Sequence, residues 1–275
     1  MIFNNPFSEL VAMISPEVMQ AYIVLMVIAV IAGTVLDMMH KKSAQYFFEN
    51  AQRASENATR QLDAGEKTGY AIKTLTNEVL TSSEFKSTRR RISHLFTMYG
   101  FILFVAATVA LVFGHATSPD AGVWPLLWHL GAGMLCFGGY WFWFFIRVDV
   151  ASEGVKWYQF NGRGDLFIVG LITMPTFALL WSATMHMLFF VLFIACATML
   201  FTTVFWSKFA HMFFKPAAAY QKKCMHADGS AENLPADYDL TDPEVQARFE
   251  DIPMYMGDEP GYMGLGIKRE PPRHF

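Results

Sequence analysis

Residues 166–207 read LFIVGLITMPTFALLWSATMHMLFFVLFIACATMLFTTVFWS, forty-two positions without one Asp, Glu, Lys or Arg. A helix crossing ~30 Å of hydrocarbon needs ~20 predominantly apolar residues. The run is therefore too long for one crossing. Its polar interruption, Ser182-Ala183-Thr184-Met185-His186, divides it into two spans, 166–182 and 187–206, joined by a very tight turn. Three further uncharged apolar runs precede it, at 18–36, 95–113 and 123–146. The expected fold is an all-α integral membrane protein, a five-helix transmembrane bundle.

Composition points the same way. The chain is 53% hydrophobic and only 16% charged, where soluble domains carry about 25% charged residues. The net charge of -3 singles out no partner, and no nucleic-acid partner is expected. Cys136, Cys196 and Cys224 form no C-x-x-C and no cluster of four, so neither a covalently attached haem nor an iron–sulfur cluster held by this chain alone is expected. No basic residue precedes the first apolar run, so that span is expected to remain in the mature protein.

Basic residues retard translocation and accumulate on the cytoplasmic side. Segments 1–16, 114–122 and 182–186 contain no Lys or Arg, whereas Lys41, Lys42, Arg89, Arg90, Arg91, Arg147, Lys156, Arg163, Lys208, Lys215, Lys222 and Lys223 all fall on the other side. This places the N-terminus outside and the C-terminus in the cytoplasm. Four segments follow: residues 1–39 hold the outer N-terminus and first span, 40–91 a cytoplasmic helical hairpin, 92–216 four transmembrane helices, and 217–275 a cytoplasmic Pro/Gly-rich tail.

In the hairpin, Phe47, Ala51, Ala54, Ala58 and Leu62 recur at helical spacing. Asp63-Ala64-Gly65 is expected to end that helix, a shorter one to run from Thr68 to Leu80, and Thr81-Ser82-Ser83-Glu84 to cap the long helix that becomes span two. The tail has no long periodic stretch and cannot bury a core of its own. Its Met254, Tyr255, Met256, Tyr262, Met263, Leu265 and Ile267 favour ordering across a partner. Gly131, Gly133, Gly138 and Gly139 permit close helix approach, and Pro175 is expected to kink span four. The aromatic run from Tyr140 to Phe145 reads as packing and interface rather than a quinone site.

The only candidate chemistry lies in histidines, since no nucleophile–base pair, Walker loop or acidic metal cage is present. At ~1.5 Å rise per residue, His94 and His115 lie ~31 Å apart along span two, and His186 and His211 ~37 Å apart along span five. His94 and His211 therefore share the inner level, while His115, His186 and His129 share the outer one. Two imidazoles from different helices at one depth can clamp a haem iron. A histidine at a helix end can equally sit among headgroups or bond a backbone carbonyl, and spacing alone leaves both readings open. Arg91, in the Arg89-Arg90-Arg91 run, is either a headgroup anchor or a partner for haem propionates or a quinone head.

Two local patterns add a resemblance. Arg91-Ile92-Ser93-His94 with Met98-Tyr99-Gly100-Phe101, and Trp206-Ser207-Lys208-Phe209-Ala210-His211-Met212-Phe213-Phe214-Lys215-Pro216, resemble the membrane subunits of the nitrate-reductase gamma-like group. These are five-helix bundles that carry b-type haem and meet the quinone pool. Within the group, the long hairpin and Pro/Gly-rich tail are most similar to the membrane anchors (M subunits) of dissimilatory adenylylsulfate reductases of sulfur-oxidising bacteria. The resemblance implies His94 and His211 as ligands of one haem b iron, and Arg91 and Lys208 near its propionates or a quinone. It also implies the bacterial cytoplasmic membrane and a soluble partner carrying FAD and iron–sulfur clusters that interconverts adenylylsulfate with sulfite and AMP.

A second haem of the group's type is not expected, because the run from Phe101 to Val105 lacks the second histidine of helix two. An outer site made by His129 with His115 or His186 has no motif behind it. The expected function is electron transfer between that reductase and quinone, the chain itself being a non-catalytic subunit. The alternative is a cofactor-free structural anchor. A transporter is disfavoured by the absence of charge within the spans.

Overall fold

The computed structural model describes residues 3–83, 85, 87–149, 154–205, 211–232, 234 and 243–248. Among them the chain is helical: α1 (Pro6–Leu10), α2 (Pro16–Lys41), α3 (Ser43–Asn57), α4 (Ala64–Lys73), α5 (Thr88–Val109), α6 (Trp124–Trp141), α7 (Gly162–Thr184), α8 (Met187–Thr202), α9 (His211–Ala227) and α10 (Pro243–Arg248). Three π-helical stretches, Thr74–Leu80, Ala110–Gly114 and Phe142–Ile146, continue α4, α5 and α6.

Four helical segments are long and apolar enough to cross a membrane: Pro16–Lys41, Thr88–Gly114, Trp124–Ile146 and Gly164–Thr184. Their outward sides are apolar, with Val24, Leu25, Val27, Ile28 and Ile31 of α2 about half exposed. Contiguous apolar surface on this scale is not left to water, and the chain is a multi-pass helical membrane protein. The long uncharged run does divide. Met185 adopts a left-handed conformation at φ 52° after α7, and the His186 side chain accepts from the Leu188 N–H to cap α8. The second half is shorter than the expected 187–206, because α8 ends at Thr202. Its 16 residues rise ~24 Å, less than ~30 Å of hydrocarbon.

Close backbone contact holds the bundle together. At Gly131 an added Cβ would lie 2.5 Å from the Phe104 nitrogen, at Gly100 2.8 Å from the Leu135 nitrogen, and at Gly138 2.6 Å from Thr97 Oγ1. Side-chain-free ridges thus let α5 and α6 touch along most of their length, as small residues do where lipid supplies no hydrophobic drive. The Ser93 hydroxyl donates to the Gly138 carbonyl at 2.8 Å, and Trp128 Nε1 to Thr108 Oγ1 at 3.0 Å. Gly139 receives Ile172 of α7, Gly170 receives Leu200 of α8, and Gly33 of α2 receives Val204. Helix α7 continues through Pro175.

The segments free of lysine and arginine meet at one end. There Asn5, 1% exposed, donates to the His115 and Ser118 carbonyls and accepts from the Phe7 N–H. Phe7 then packs edge-on against Trp128 and Trp181, with centroids at 5.8 and 5.3 Å. At the opposite end Arg147, 1% exposed, pairs with Asp165, donates to the Lys156 and Gln159 carbonyls and stands 4.2 Å over the Trp143 ring.

The hairpin differs from expectation at its turn. Asp63 does not end the first helix, which stops at Asn57; it caps the second. Its side chain accepts from the Glu66 N–H at 2.7 Å while Glu66 accepts from the Asp63 N–H at 3.1 Å. This reciprocal D-x-x-E arrangement is a helix start, so α4 begins at Ala64 rather than Thr68. The cap of α5 is Ser87, not the cluster from Thr81 to Glu84.

Helical structure crosses Ala217. Helix α9 runs on to Ala227 and packs against the hairpin, with Gln221 donating to the Phe47 carbonyl and Lys223 bridging Glu78 and Thr74. Beyond it, Thr59 and Arg60 N–H groups donate to the Asp228 carbonyl. The first part of the tail therefore completes a three-helix cluster with this chain's own hairpin. The apolar residues from Met254 to Ile267 lie outside the described residues.

Candidate functional site

Three consecutive residues, the last of the π stretch and the two that follow it, are fastened to the first turns of α5. The Leu80 carbonyl accepts from the Tyr99 hydroxyl at 2.6 Å, the Thr81 carbonyl accepts from Arg91 Nε at 2.7 Å, and Ser82 Oγ meets His94 Nδ1 at 3.1 Å. Ser82 is fully buried and left-handed at φ 48°. That conformation favours glycine, and here it turns the hydroxyl onto the imidazole. The segment forms a strap that fixes the His94 ring.

The strap continues to Phe85, whose ring lies 4.9 Å from that of His94 and 5.6 Å from the Lys215 ammonium on α9. Lys215 stands one helical turn after His211, the first residue of α9. The start of α5 and the start of α9 thus meet across Phe85. The side chain of His211, and Lys208 entirely, lie outside the described residues.

The other candidates are placed separately. His129 uses both ring nitrogens, Nδ1 with the Pro125 carbonyl at 2.7 Å and Nε2 with Ser182 Oγ at 2.7 Å. A neutral ring that donates from Nδ1 and accepts at Nε2 has no lone pair left for iron in this arrangement. His186 spends Nδ1 on the cap of α8. His115 ends the π stretch of α5, and its carbonyl holds Asn5. Among the described residues no three His, Cys, Asp or Glu side chains gather as a metal group.

At His94 an imidazole held by a buried hydroxyl is a residue that could ligate a metal. Were Nδ1–H to donate to Ser82 Oγ, Nε2 would be the nitrogen to ligate a metal, the pattern by which an outer hydrogen bond orients metal-ligating histidines. Arg91 and Lys215 supply cations beside it. Ser82, Phe85, Tyr99 and Lys215 were not identified from sequence as parts of this site. Tyr99 and Lys215 lie inside the two resembling patterns without a role of their own, and the Thr-Ser-Ser-Glu context of Ser82 reads as a helix cap.

No protein-family model, characterised protein or solved structure matches the chain.

Replacing Ser82 by glycine keeps the left-handed turn and removes the buried hydroxymethyl group with its contact to His94. Thermal stability should stay within about 1 kcal/mol, while affinity for a haem at His94 should fall by about 10–100-fold, read by haem titration of the detergent-purified variant.

Proposed function

We propose that the chain is the membrane subunit of an oxidoreductase complex, a five-span bundle with its N-terminus outside and C-terminus in the cytoplasm of a bacterium. It docks a soluble FAD and iron–sulfur adenylylsulfate reductase on its basic side and passes electrons between that enzyme and quinone. One haem b would be held by His94 and His211, with Arg91, Lys215 and Lys208 near its propionates. Bound there, the haem would relay electrons one at a time between the partner's clusters and quinone.

The observation that carries this reading is the buried Ser82 hydroxyl on His94 Nδ1, at the junction where α9 begins with His211. The Arg-Ile-Ser-His and Ser-Lys-Phe-Ala-His patterns support the same pair. This chain's residues do three things in that scheme. Ser82 orients the imidazole, Phe85 fills the apolar ground between α5 and α9, and Lys215 and Arg91 would offset carboxylate charge. The basic hollow of about 270 Å³ lined by Tyr70, Lys73, Lys223 and His226 suits an acidic patch on the partner.

A cofactor-free anchor is the second reading, favoured by the packing of α9 on the hairpin, which builds a docking platform without any haem. One assay separates them. With the reductase, sulfite and AMP form adenylylsulfate and release two electrons, which reduce decylubiquinone to its quinol with uptake of two protons. Proteoliposomes holding chain and reductase should reduce the quinone, and reductase alone should not. Reductase retained on the vesicles without quinone reduction would establish the anchor instead.

A further inference from the structure

The hairpin's second arm, α4 and the π turns after it, has two unlike faces. Thr74 and Glu78 face α9, where both meet Lys223. Ile72, Leu75 and Leu80 stand 58%, 54% and 44% exposed. Three large aliphatic side chains on one short arm would be costly left in water.

Two observations say what covers them. First, the Tyr99 hydroxyl that holds the Leu80 carbonyl belongs to the outward stripe of α5 and its π continuation, formed by Phe96, Tyr99, Ile102, Val109 and Phe113, all exposed. On a helix that crosses the membrane this stripe faces lipid, so the end of the arm lies on the lipid side of α5. Second, helical side chains lean toward the N-terminus. The Tyr99 hydroxyl therefore meets Leu80 near the level of Leu95, where the apolar run of α5 begins. Leu80 sits at the border of the hydrocarbon. Along the arm Leu75 follows at no more than ~7.5 Å from Leu80 and Ile72 at no more than ~12 Å, at 1.5 Å per residue or less.

We propose that this arm is a lipid-binding element. Leu80 and Leu75 lie in the interfacial layer of the leaflet on the hairpin side, against the glycerol and upper acyl region of phospholipid, and Ile72 lies at its rim. The arm continues the lipid-facing surface of α5 and presses the strap that carries Ser82 onto α5 from the membrane side. None of this depends on haem, quinone or a soluble partner.

The test uses the full chain in vesicles of phosphatidylcholine and phosphatidylglycerol doped with a phosphatidylcholine whose acyl chain bears a diazirine near its carbonyl. After irradiation and tryptic digestion, peptide 74–86, with Leu75 and Leu80, should carry severalfold more lipid adduct than peptide 54–60 at the far end of α3. Peptide 68–73, with Ile72, should fall between them. Labelling of 74–86 no higher than that of 54–60 would overturn the proposal and leave the face to water or a protein partner. An inverted order of 68–73 above 74–86 would overturn it as well.

Discussion

Gly131→Leu is expected to break the bundle at its tightest point. Even the first carbon of the new side chain would stand 2.5 Å from the Phe104 nitrogen and 2.9 Å from its Cα, and backbone cannot step aside as a flexible side chain can. Helices α5 and α6 would have to separate, losing the Ser93–Gly138 and Trp128–Thr108 hydrogen bonds that cross the same seam. Overpacking alone costs about 1–3 kcal/mol, and each lost bond about 1 kcal/mol more. The variant should melt well below the parent in detergent or fail to leave the membrane as a monodisperse species. Gly133→Leu is the matched control. Nothing lies within 4 Å of a Cβ there, and the residue is exposed, so its melting temperature should hold or rise slightly. Equal melting of both variants would contradict the seam.

Asp165→Ala is the second large loss. Asp165 accepts from Arg147 and from the Asn161 N–H at 2.6 Å, and its side chain is only 12% exposed against 1% for Arg147. Removing one partner of a buried pair leaves an uncompensated charge and costs about 3–5 kcal/mol. Arg147 would still reach the Lys156 and Gln159 carbonyls, but these neutral acceptors do not balance its charge. The double variant Arg147→Met with Asp165→Leu removes both charges and should recover part of the lost stability in chemical-denaturation midpoints. A double variant less stable than Asp165→Ala would show that the guanidinium's carbonyl bonds to the 156–159 loop outweigh the ion pair.

The transmembrane helices were legible because hydrocarbon imposes a length and a charge rule that a sequence obeys openly. The break of the long run at Ser182–His186 was readable for the same reason, since polar residues there have no other place. What misled was local chemistry with two meanings. Asp63 followed by Ala64 and Gly65 resembles a helix end, and only Glu66 three residues on reveals the capping box. Helix α9 past Ala217 was hidden because Pro216 reads as a helix breaker and it is tied to the hairpin by polar contacts to residues far away in sequence. His94 was singled out as a candidate by depth and pattern. Its Ser82 partner, twelve residues earlier, depends on a left-handed turn that no composition announces.

The measurement closest to the central claim is a dithionite-reduced minus oxidised visible spectrum, with pyridine haemochrome quantification, on the full chain purified from a haem-replete host beside His94→Ala and His211→Ala. The account predicts a b-type spectrum at about one haem per chain, abolished in both variants while their helical content and elution volume stay unchanged. A parent without haem, or a variant that keeps a full complement, would contradict His94 and His211 as the ligand pair.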